Sequence, residues 1–353
     1  MSETPRIAVA MSGGVDSSVA AALLHEAGVQ VFGLMLRLQD GADGLANRCC
    51  SPSDVATARS VAASLDIPFY VVDAREMFEE RVILPFLDGY AHGVTPNPCV
   101  ECNRAVRWGL LLDRALALGA TRLATGHYAR KAYDGLAYCL RASVDSAKDQ
   151  SYVLHMLTQI QLAHAVFPLG EQTKAEVRAH ASRIGLAVAH RRESQDLCFV
   201  QGDYRAFLAT RGAGGQPGPI LDREGNALGT HSGLPGYTLG QRKGLRLPAR
   251  EALYVLEKDI AGNALVVGAR QDVGRQEFAV EQVNWIAGAP PAELFDAQVQ
   301  VRYHAPRIAG RITCGTPTQA RVRLVARQPD VAPGQSAVFY ADDICLGGGV
   351  ITP

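Results

Sequence analysis

The feature that most constrains this 353-residue chain is a glycine-rich junction between a short apolar run and a helical pattern. Arg6-Ile-Ala-Val-Ala-Met11 predicts a strand, Ser12-Gly-Gly-Val-Asp-Ser-Ser18 follows it directly, and a helix is predicted from Ser17 to Ala27. Glycines allow a tight backbone turn and bring amide N–H groups close to phosphate oxygens. The helix N-terminus adds partial positive charge, and the hydroxyls of Ser12, Ser17 and Ser18 add donors. The loop contains no lysine, so it differs from the GxxxxGK[ST] loop that grips β- and γ-phosphates. A Ser/Asp helix cap with an incidental glycine turn is the plainer reading. The strand-to-helix setting favours the phosphate loop.

The same alternation continues for about 200 residues. Strands are predicted at 29–36, 68–72 and 122–125, with helices at 54–65 and around 104–118. Alternating strands and helices predict a doubly wound parallel sheet covered on both faces, with ligands at the carboxyl ends of the strands. Near Arg211-Gly-Ala-Gly-Gly-Gln-Pro-Gly-Pro219 the chain becomes rich in Gly and Pro, which marks a domain boundary. Beyond it, Ala297-Gln-Val-Gln-Val-Arg-Tyr303 and Arg321-Val-Arg-Leu-Val325 alternate with period two. They predict a small C-terminal β-barrel. The expected organisation is an α/β catalytic domain over 1–210, a β-rich central module over 211–275 and a barrel over 276–353.

A hydrophobic fraction of 48% supports ordinary buried cores. No apolar run approaches the roughly 20 residues of a membrane span. No basic stretch followed by an apolar one opens the chain, so a cytoplasmic protein with no membrane partner is expected. Net charge is zero, so total charge does not advertise a nucleic-acid partner. Its distribution is uneven, with arginines at 302, 307, 311, 321, 323 and 327 and no acidic residue across 301–329. A phosphate-binding face and a solvated sheet face both fit that cluster.

Eight cysteines fall at 49, 50, 99, 102, 139, 198, 314 and 345. In a cytosolic chain a framework of structural disulfides is not expected, which leaves catalysis, metal binding or burial. Cys99 and Cys102 form a C-x-x-C unit in Thr95-Pro-Asn-Pro-Cys-Val-Glu-Cys-Asn-Arg104, just before a predicted helix. A thiol at a helix N-terminus has a lowered pKa, and Arg104 and Arg107 would act in the same direction. Half of a zinc or iron–sulfur site is the competing reading. No second C-x-x-C exists, so no metal site is expected. Cys198 lies among basic and hydroxyl groups in Arg191-Arg-Glu-Ser-Gln-Asp-Leu-Cys-Phe199. Cys139, Cys314 and Cys345 sit in strand-like apolar settings where burial is the default. Cys49 and Cys50 receive no assignment.

The Ser12–Ser18 loop resembles the pyrophosphate-binding loop of the N-type ATP pyrophosphatases. In that superfamily an acceptor attacks the α-phosphate of ATP and pyrophosphate departs, leaving an adenylated acceptor. The resemblance implies that Asp16 holds Mg²⁺ accompanying ATP, through hard oxygen ligands. Thr125-Gly-His-Tyr128 closes a later strand at the same end of the sheet. There Gly126 would admit the nucleotide to the backbone, unless it is a simple turn glycine.

A closer resemblance rests on motifs occurring in order along the chain. They are SGGVDSS, TPNPCVECN, ATGHY, KDQSYVL, SQDLCF, the Gly229–Leu245 loop and Pro333-Gly-Gln-Ser-Ala-Val-Phe-Tyr340. Together they resemble the bacterial tRNA-specific 2-thiouridylase (MnmA) family from end to end. The resemblance implies that Ala10, Met11, Ser12, Gly13, Gly14, Val15, Asp16 and Ser17, with Leu36 and Gly126, line an ATP site. It implies that Cys102 is the nucleophile and that Cys198 carries a persulfide. Asn97, Pro98 and Cys99 would face the target base. His127, Lys148, Asp149, Gln150, Arg302, Tyr303 and Gln335 would touch tRNA. The implied partners are the anticodon loops of the tRNAs for Lys, Glu and Gln, and a sulfur-donor protein such as a cysteine desulfurase or sulfur carrier. Where some members carry Asp beside the base, this chain has Cys99, so the proton-transfer group stays unassigned.

Plainer readings accompany several of these residues. Asp149 could cap the helical stretch that follows it, and Tyr303 could belong to a core. The 226–247 segment, with its glycines and Gln241-Arg-Lys243, fits either a mobile loop that closes over RNA or a cluster of structural turns. Two other functions remain open from sequence. One is a different adenylating enzyme, such as an amide ligase or a cytidine thiolase. The other is a non-catalytic RNA-binding protein with a relict ATP loop.

Overall fold

The computed structural model describes residues 5–39, 51–191, 197–200, 202–248, 251–329 and 331–353. Cys49, Cys50 and residues 192–196 of the second cysteine neighbourhood lie outside the described residues.

The first region opens with β1 (Arg6–Ala10), α1 (Val15–Glu26), β2 (Gln30–Arg37), α2 (Pro52–Ser64) and β3 (Phe69–Asp73). Next come α3 (Arg75–Phe78), α4 (Leu84–Ala91), α5 (Pro98–Glu101), α6 (Leu112–Ala117) and β4 (Arg122–Thr125). A hairpin of β5 (Ala129–Tyr133) and β6 (Tyr138–Ala142) precedes α7 (Gln159–His164), β7 (Ala165–Val166), α8 (Lys174–Arg183) and α9 (Tyr204–Thr210). Strands β3-β2-β1-β4-β7 make one parallel sheet in that order. The order reverses between β1 and β4, so their carboxyl ends open a crevice at the switch point.

Period-two alternation in β1 serves both faces of this sheet. Ile7 and Val9 pack with Val19, Ala20, Ala58 and Val61 on one side. Ala8 packs with Phe32, Leu34, Phe86 and Trp108 on the other. The doubly wound arrangement expected from sequence is present.

Helix α1 starts at Val15, two residues before the sequence expectation. Gly14 is extended (φ −90°, ψ 162°) and serves as its N-cap. The Ser17 and Ser18 hydroxyls donate to the Gly14 carbonyl at 3.2 and 2.9 Å, fixing the first turn. Helix α2 also starts early, because Ser51 and Asp54 form a capping box with Pro52 in the first turn.

The central module holds β8 (Gly218–Leu221), β9 (Ala227–His231), β10 (Tyr254–Asp259) and β11 (Ala264–Gly268), in the order β10-β11-β8-β9. Leu234, Tyr237 and Leu245 are buried in its small core. The 226–247 segment is therefore anchored at three points and contains β9, so structural turns describe its fold.

The last region carries β12 (Arg275–Trp285), β13 (Leu294–Gln300), β14 (Ile308–Thr316), β15 (Gln319–Gln328), β16 (Ser336–Ala341) and β17 (Ile344–Ile351). The order β12-β15-β14-β13-β16-β17 closes through β12–β17 pairing into a six-stranded antiparallel barrel. Closure removes the exposed edges that an open sheet would present. The β5–β6 hairpin extends this sheet from β17, with Leu140 opposite Cys345. Arg130 and Arg141 both bind Asp343, at 2.5 and 2.9 Å. The barrel is thereby joined to the first region by strand pairing and by charge.

Candidate active site

The Met11–Gly14 turn occupies the carboxyl end of β1, at the switch point. Gly13 takes a left-handed conformation (φ +73°), and a Cβ there would stand 2.7 Å from the Asp54 carbonyl oxygen. The Ser12 amide donates to the Ser17 hydroxyl at 3.1 Å, closing the turn on the first helical residues. Gly126, just past β4, faces this loop so closely that a Cβ would lie 2.8 Å from the Ser17 nitrogen. The need for glycine at 126 is thus set by a close approach of two backbones. Between these segments lies a cavity of about 160 Å³. Seven residues of the expected nucleotide set line it: Ala10, Met11, Ser12, Asp16, Ser17, Leu36 and Gly126. Gly13, Gly14 and Val15 complete the loop behind them.

Three side chains to which the sequence reading gave no role hold the loop. Lys174, the first residue of α8, reaches the Asp16 carboxylate oxygens at 2.7 and 2.8 Å. The Tyr128 hydroxyl donates to the same carboxylate at 2.8 Å. Arg191 donates to the Gly13 carbonyl at 2.9 Å and pairs with the buried Asp54. Only five of the 35 basic residues are lysines, so Lys174 is a rare choice in an arginine-rich chain. That rarity was the one available signal.

His127 lines the same cavity and is buried. Burial first, and the Arg107 charge second, hold its imidazole well below the usual histidine range. Arg107 can only donate, so His127 Nε2 accepts from it at 3.3 Å. Nδ1 then carries the proton and donates to the Thr125 hydroxyl at 2.8 Å. His127 is thus a neutral wall of the nucleotide cavity.

Arg107 connects this cavity to the C-x-x-C unit. Asn97 caps α5 by accepting from the Val100 amide at 3.3 Å, and Pro98 stands in the first turn. The helix continues through a π-helical segment, Cys102–Leu111, into α6. Cys99 and Cys102 therefore lie within the first turns of this helix, slightly inside the expected position. Cys99 is exposed and Cys102 is half-buried at the start of the π segment. Such segments recur at functional sites. Arg104 stands 3.8 Å from Glu101, so both arginines expected beside the thiols have other neighbours.

Cys198 is half-buried and precedes Phe199. The Phe199 ring packs edge-on against Phe78, Phe86 and Phe207, with centroids 5.8, 5.2 and 5.5 Å apart. This aromatic cluster fixes the backbone next to Cys198. Cys198 and Cys102 both pack against the same large core cluster. Cys345 is buried, and burial pushes its thiol up to about 12. Among the described residues, no group of three or more His, Cys, Asp or Glu side chains could hold a metal ion.

Six further residues expected at tRNA are not among those lining the nucleotide cavity. Asp149 accepts from the Ser143 and Ser151 amides at 3.1 Å each and pairs with Arg307 at 3.0 Å. Gln150 accepts from the Tyr128 amide at 2.9 Å, steadying the segment behind His127. Gln335 donates to the Thr95 carbonyl at 2.8 Å. These three engage protein groups. Arg302 is exposed and Tyr303 and Lys148 are half-buried, with the Tyr303 ring centroid 6.0 Å from that of Tyr152.

Most of the acid-free arginine cluster has carboxylate or carbonyl partners from outside 301–329. Asp296 faces Arg311, Arg311 faces Arg323, and Glu277 faces Arg323 across four neighbouring strands. The outer pairs close at 2.9 and 3.1 Å. Arg307 binds Asp149, and Arg327 donates to the Asp272 and Gly274 carbonyls. Two directly opposed arginines would repel each other, and the flanking acids offset that cost.

A switch-point glycine turn with Ser12 and Ser17 on the cavity wall, facing Gly126 and backed by a lysine, defines an α/β nucleotide-loop protein. Family models agree along the chain. The tRNA methyl transferase HUP domain matches residues 5–202, its PRC-barrel domain matches 205–269, and the aminomethyltransferase beta-barrel domain matches 275–351. Among curated relatives, a tRNA-specific 2-thiouridylase MnmA of Chloroflexus aggregans is 50% identical, covering 98% of each chain. Those of Roseiflexus castenholzii and Moorella thermoacetica are 46% and 45% identical, covering 98% and 97% of this chain and 99% and 98% of theirs. The chain belongs to the tRNA-specific 2-thiouridylase family.

Proposed function

We propose that this protein is a tRNA-uridine 2-sulfurtransferase that uses ATP to activate the wobble uridine and cysteine sulfur to thiolate it. The observation that carries this reading is one shared wall. Arg107 lines the nucleotide cavity and rides on the same continuous helix as Cys102. Adenylation and sulfur delivery would then meet at one helix.

In this reading, oxygen on carbon 2 of the uracil attacks the α-phosphate and pyrophosphate leaves. The terminal persulfide sulfur on Cys198 adds to carbon 2. Cys102 thiolate then attacks the Cys198 sulfur, releasing the sulfur that stays on carbon 2 as AMP departs. A Cys102–Cys198 disulfide remains, to be reduced before the next cycle. Splitting the reaction into activation and covalent transfer lowers each barrier. The uracil must be extruded into the site, at lower cost in an anticodon loop than in a duplex.

Asn97, Pro98 and Cys99 would face the base, and Lys148, Arg302 and Tyr303 would face the RNA. Asp16 fits a Mg²⁺ ion arriving with ATP, since its partly exposed carboxylate lines the cavity. Such an ion would offset the charge of the departing pyrophosphate, with phosphate oxygens supplying further ligands. The proposed RNA substrates are the tRNAs for Lys, Glu and Gln, and the proposed sulfur source is a persulfide-bearing cysteine desulfurase or carrier. The units 1–210, 211–275 and 276–353 would act together in the cytoplasm. Among the described residues no helix is long and apolar enough to cross a membrane. The test is tRNA-dependent nucleotide release. AMP and pyrophosphate in equal amounts support the reading, whereas ADP and phosphate would exclude attack at the α-phosphate.

A further inference from the structure

The base-facing loop is held from outside its own domain. Its Thr95 amide donates to the Pro333 carbonyl at 2.8 Å. The Gln335 side-chain amide donates back to the Thr95 carbonyl at 2.8 Å and reaches the Pro96 carbonyl at 3.4 Å. Gly334 lies between these bonds with φ +89°, and a Cβ there would stand 2.9 Å from the Thr95 backbone. One residue further, the Ser336 carbonyl accepts from the buried Tyr152 hydroxyl at 2.9 Å. The short helical turn Ser151–Leu154 that carries Tyr152 packs against α5, the first turn of the cysteine helix. Asn97 sets the first turn of the helix bearing Cys99 and Cys102, through the Val100 amide.

The barrel turn 333–336 thus grips the two residues immediately before the N-cap of the cysteine helix and holds the Tyr152 turn that packs on its first turn. We propose that Gln335 and Tyr152 are positioning residues. Through them the C-terminal barrel sets the placement of Asn97 and of the Cys102 helix, so that the site for the target base is complete only when the barrel is docked. This rests on the reading of Asn97 as a base-facing residue. It gives Gln335 a task inside the protein beside the RNA contact implied by family resemblance, since its amide donates to the Thr95 carbonyl. Misplacing a reacting group by about 1 Å costs on the order of 100-fold in rate, so a clamp of this kind would be read in turnover more than in binding.

The test uses the full-length protein with tRNA and ATP. Gln335→Met keeps the length of the side chain and removes its amide, and Tyr152→Phe removes one hydroxyl. Each is expected to lower the turnover number for thiolation by at least about tenfold. The tRNA dissociation constant and tRNA-free ATP binding should stay within about twofold, and each variant should unfold within a few degrees of the parent. Asn97→Ala supplies the second arm. If both residues act through Asn97 placement, their effects should shrink to less than about twofold in the Asn97→Ala background. Independent, multiplicative losses would overturn the clamp and leave two ordinary structural bonds. A Gln335→Met variant that weakens tRNA binding with unchanged turnover would return Gln335 to RNA contact. An Asn97→Ala variant with unchanged thiolation would instead overturn the base-facing reading on which the proposal stands.

Discussion

The Lys174 ammonium lies 2.7 and 2.8 Å from the two carboxylate oxygens of Asp16, although 158 residues separate them. The pair is mostly buried, with the Lys174 side chain 12% exposed, so its partner's removal is costly. Lys174→Met should leave Tyr128 as the side-chain partner of Asp16 among the described residues and lose a positive charge beside the nucleotide loop. A loss of one preorganised donor of this kind costs on the order of 100-fold in turnover. Measuring AMP release with folded variant protein checks this. Wild-type turnover in Lys174→Met would reduce the pair to a tie between α1 and α8.

The arginine ladder makes a contrasting prediction about RNA. Arg311 pairs with Asp296 on the barrel surface, and Arg302 is exposed next to the Tyr152–Tyr303 pair. Arg302→Ala should weaken tRNA binding and lower the salt-dependence slope by roughly one if one phosphate contact is lost. Arg311→Ala should leave that slope unchanged, and its exposed ion pair should contribute less than about 1 kcal/mol to stability. Binding titrations at several salt concentrations distinguish the two. Equal slopes for Arg302→Ala and the parent would assign Arg302 to a solvated face.

Two buried histidines tie stability to acid. Burial lowers His155 from 6.5 to about 4, and its Nδ1 lies 2.7 Å from the Tyr152 carbonyl. His127 is held well below the usual range by burial and then by Arg107. The unfolded chain therefore binds more protons than the folded one below about pH 6.5. The stability associated with neutral imidazoles is fully present above that pH and is lost as pH falls toward about 4. For His155 alone the full effect is about 3 kcal/mol. Thermal unfolding between pH 7 and 4.5 should fall more steeply for the parent than for His155→Asn, whose amide does not titrate. Parallel curves would remove His155 from the acid response.

The nucleotide loop was legible because its chemistry is local: glycines, serines and one aspartate between a strand and a helix. The strand at Arg122–Thr125 and the period-two strands of the barrel were legible for the same reason. Lys174 was hidden because Thr173-Lys-Ala-Glu176 reads as a capping box, which it also forms. Arg191 was hidden because its partners Gly13 and Asp54 lie 178 and 137 residues away. The arginine cluster read as uncompensated because strand register, which brings Glu277 and Asp296 opposite it, cannot be counted along the chain. Gln335 likewise showed no sign in sequence of its bond to Thr95, which depends on how the barrel docks.

The central claim is that sulfur reaches carbon 2 of the wobble uridine through Cys198 and Cys102. The direct measurement is mass spectrometry of nucleosides from tRNA incubated with the protein, ATP and a persulfide donor, with AMP counted in the same reaction. The account predicts one 2-thiouridine per AMP and its loss in both Cys102→Ser and Cys198→Ser, because a hydroxyl cannot carry sulfane sulfur. Cys198→Ser should also lose the protein persulfide, and Cys99→Ser should stay folded and retain activity. Thiolation that survives in Cys198→Ser, or stoichiometric zinc that disappears in both the Cys99→Ser and Cys102→Ser variants, would contradict it.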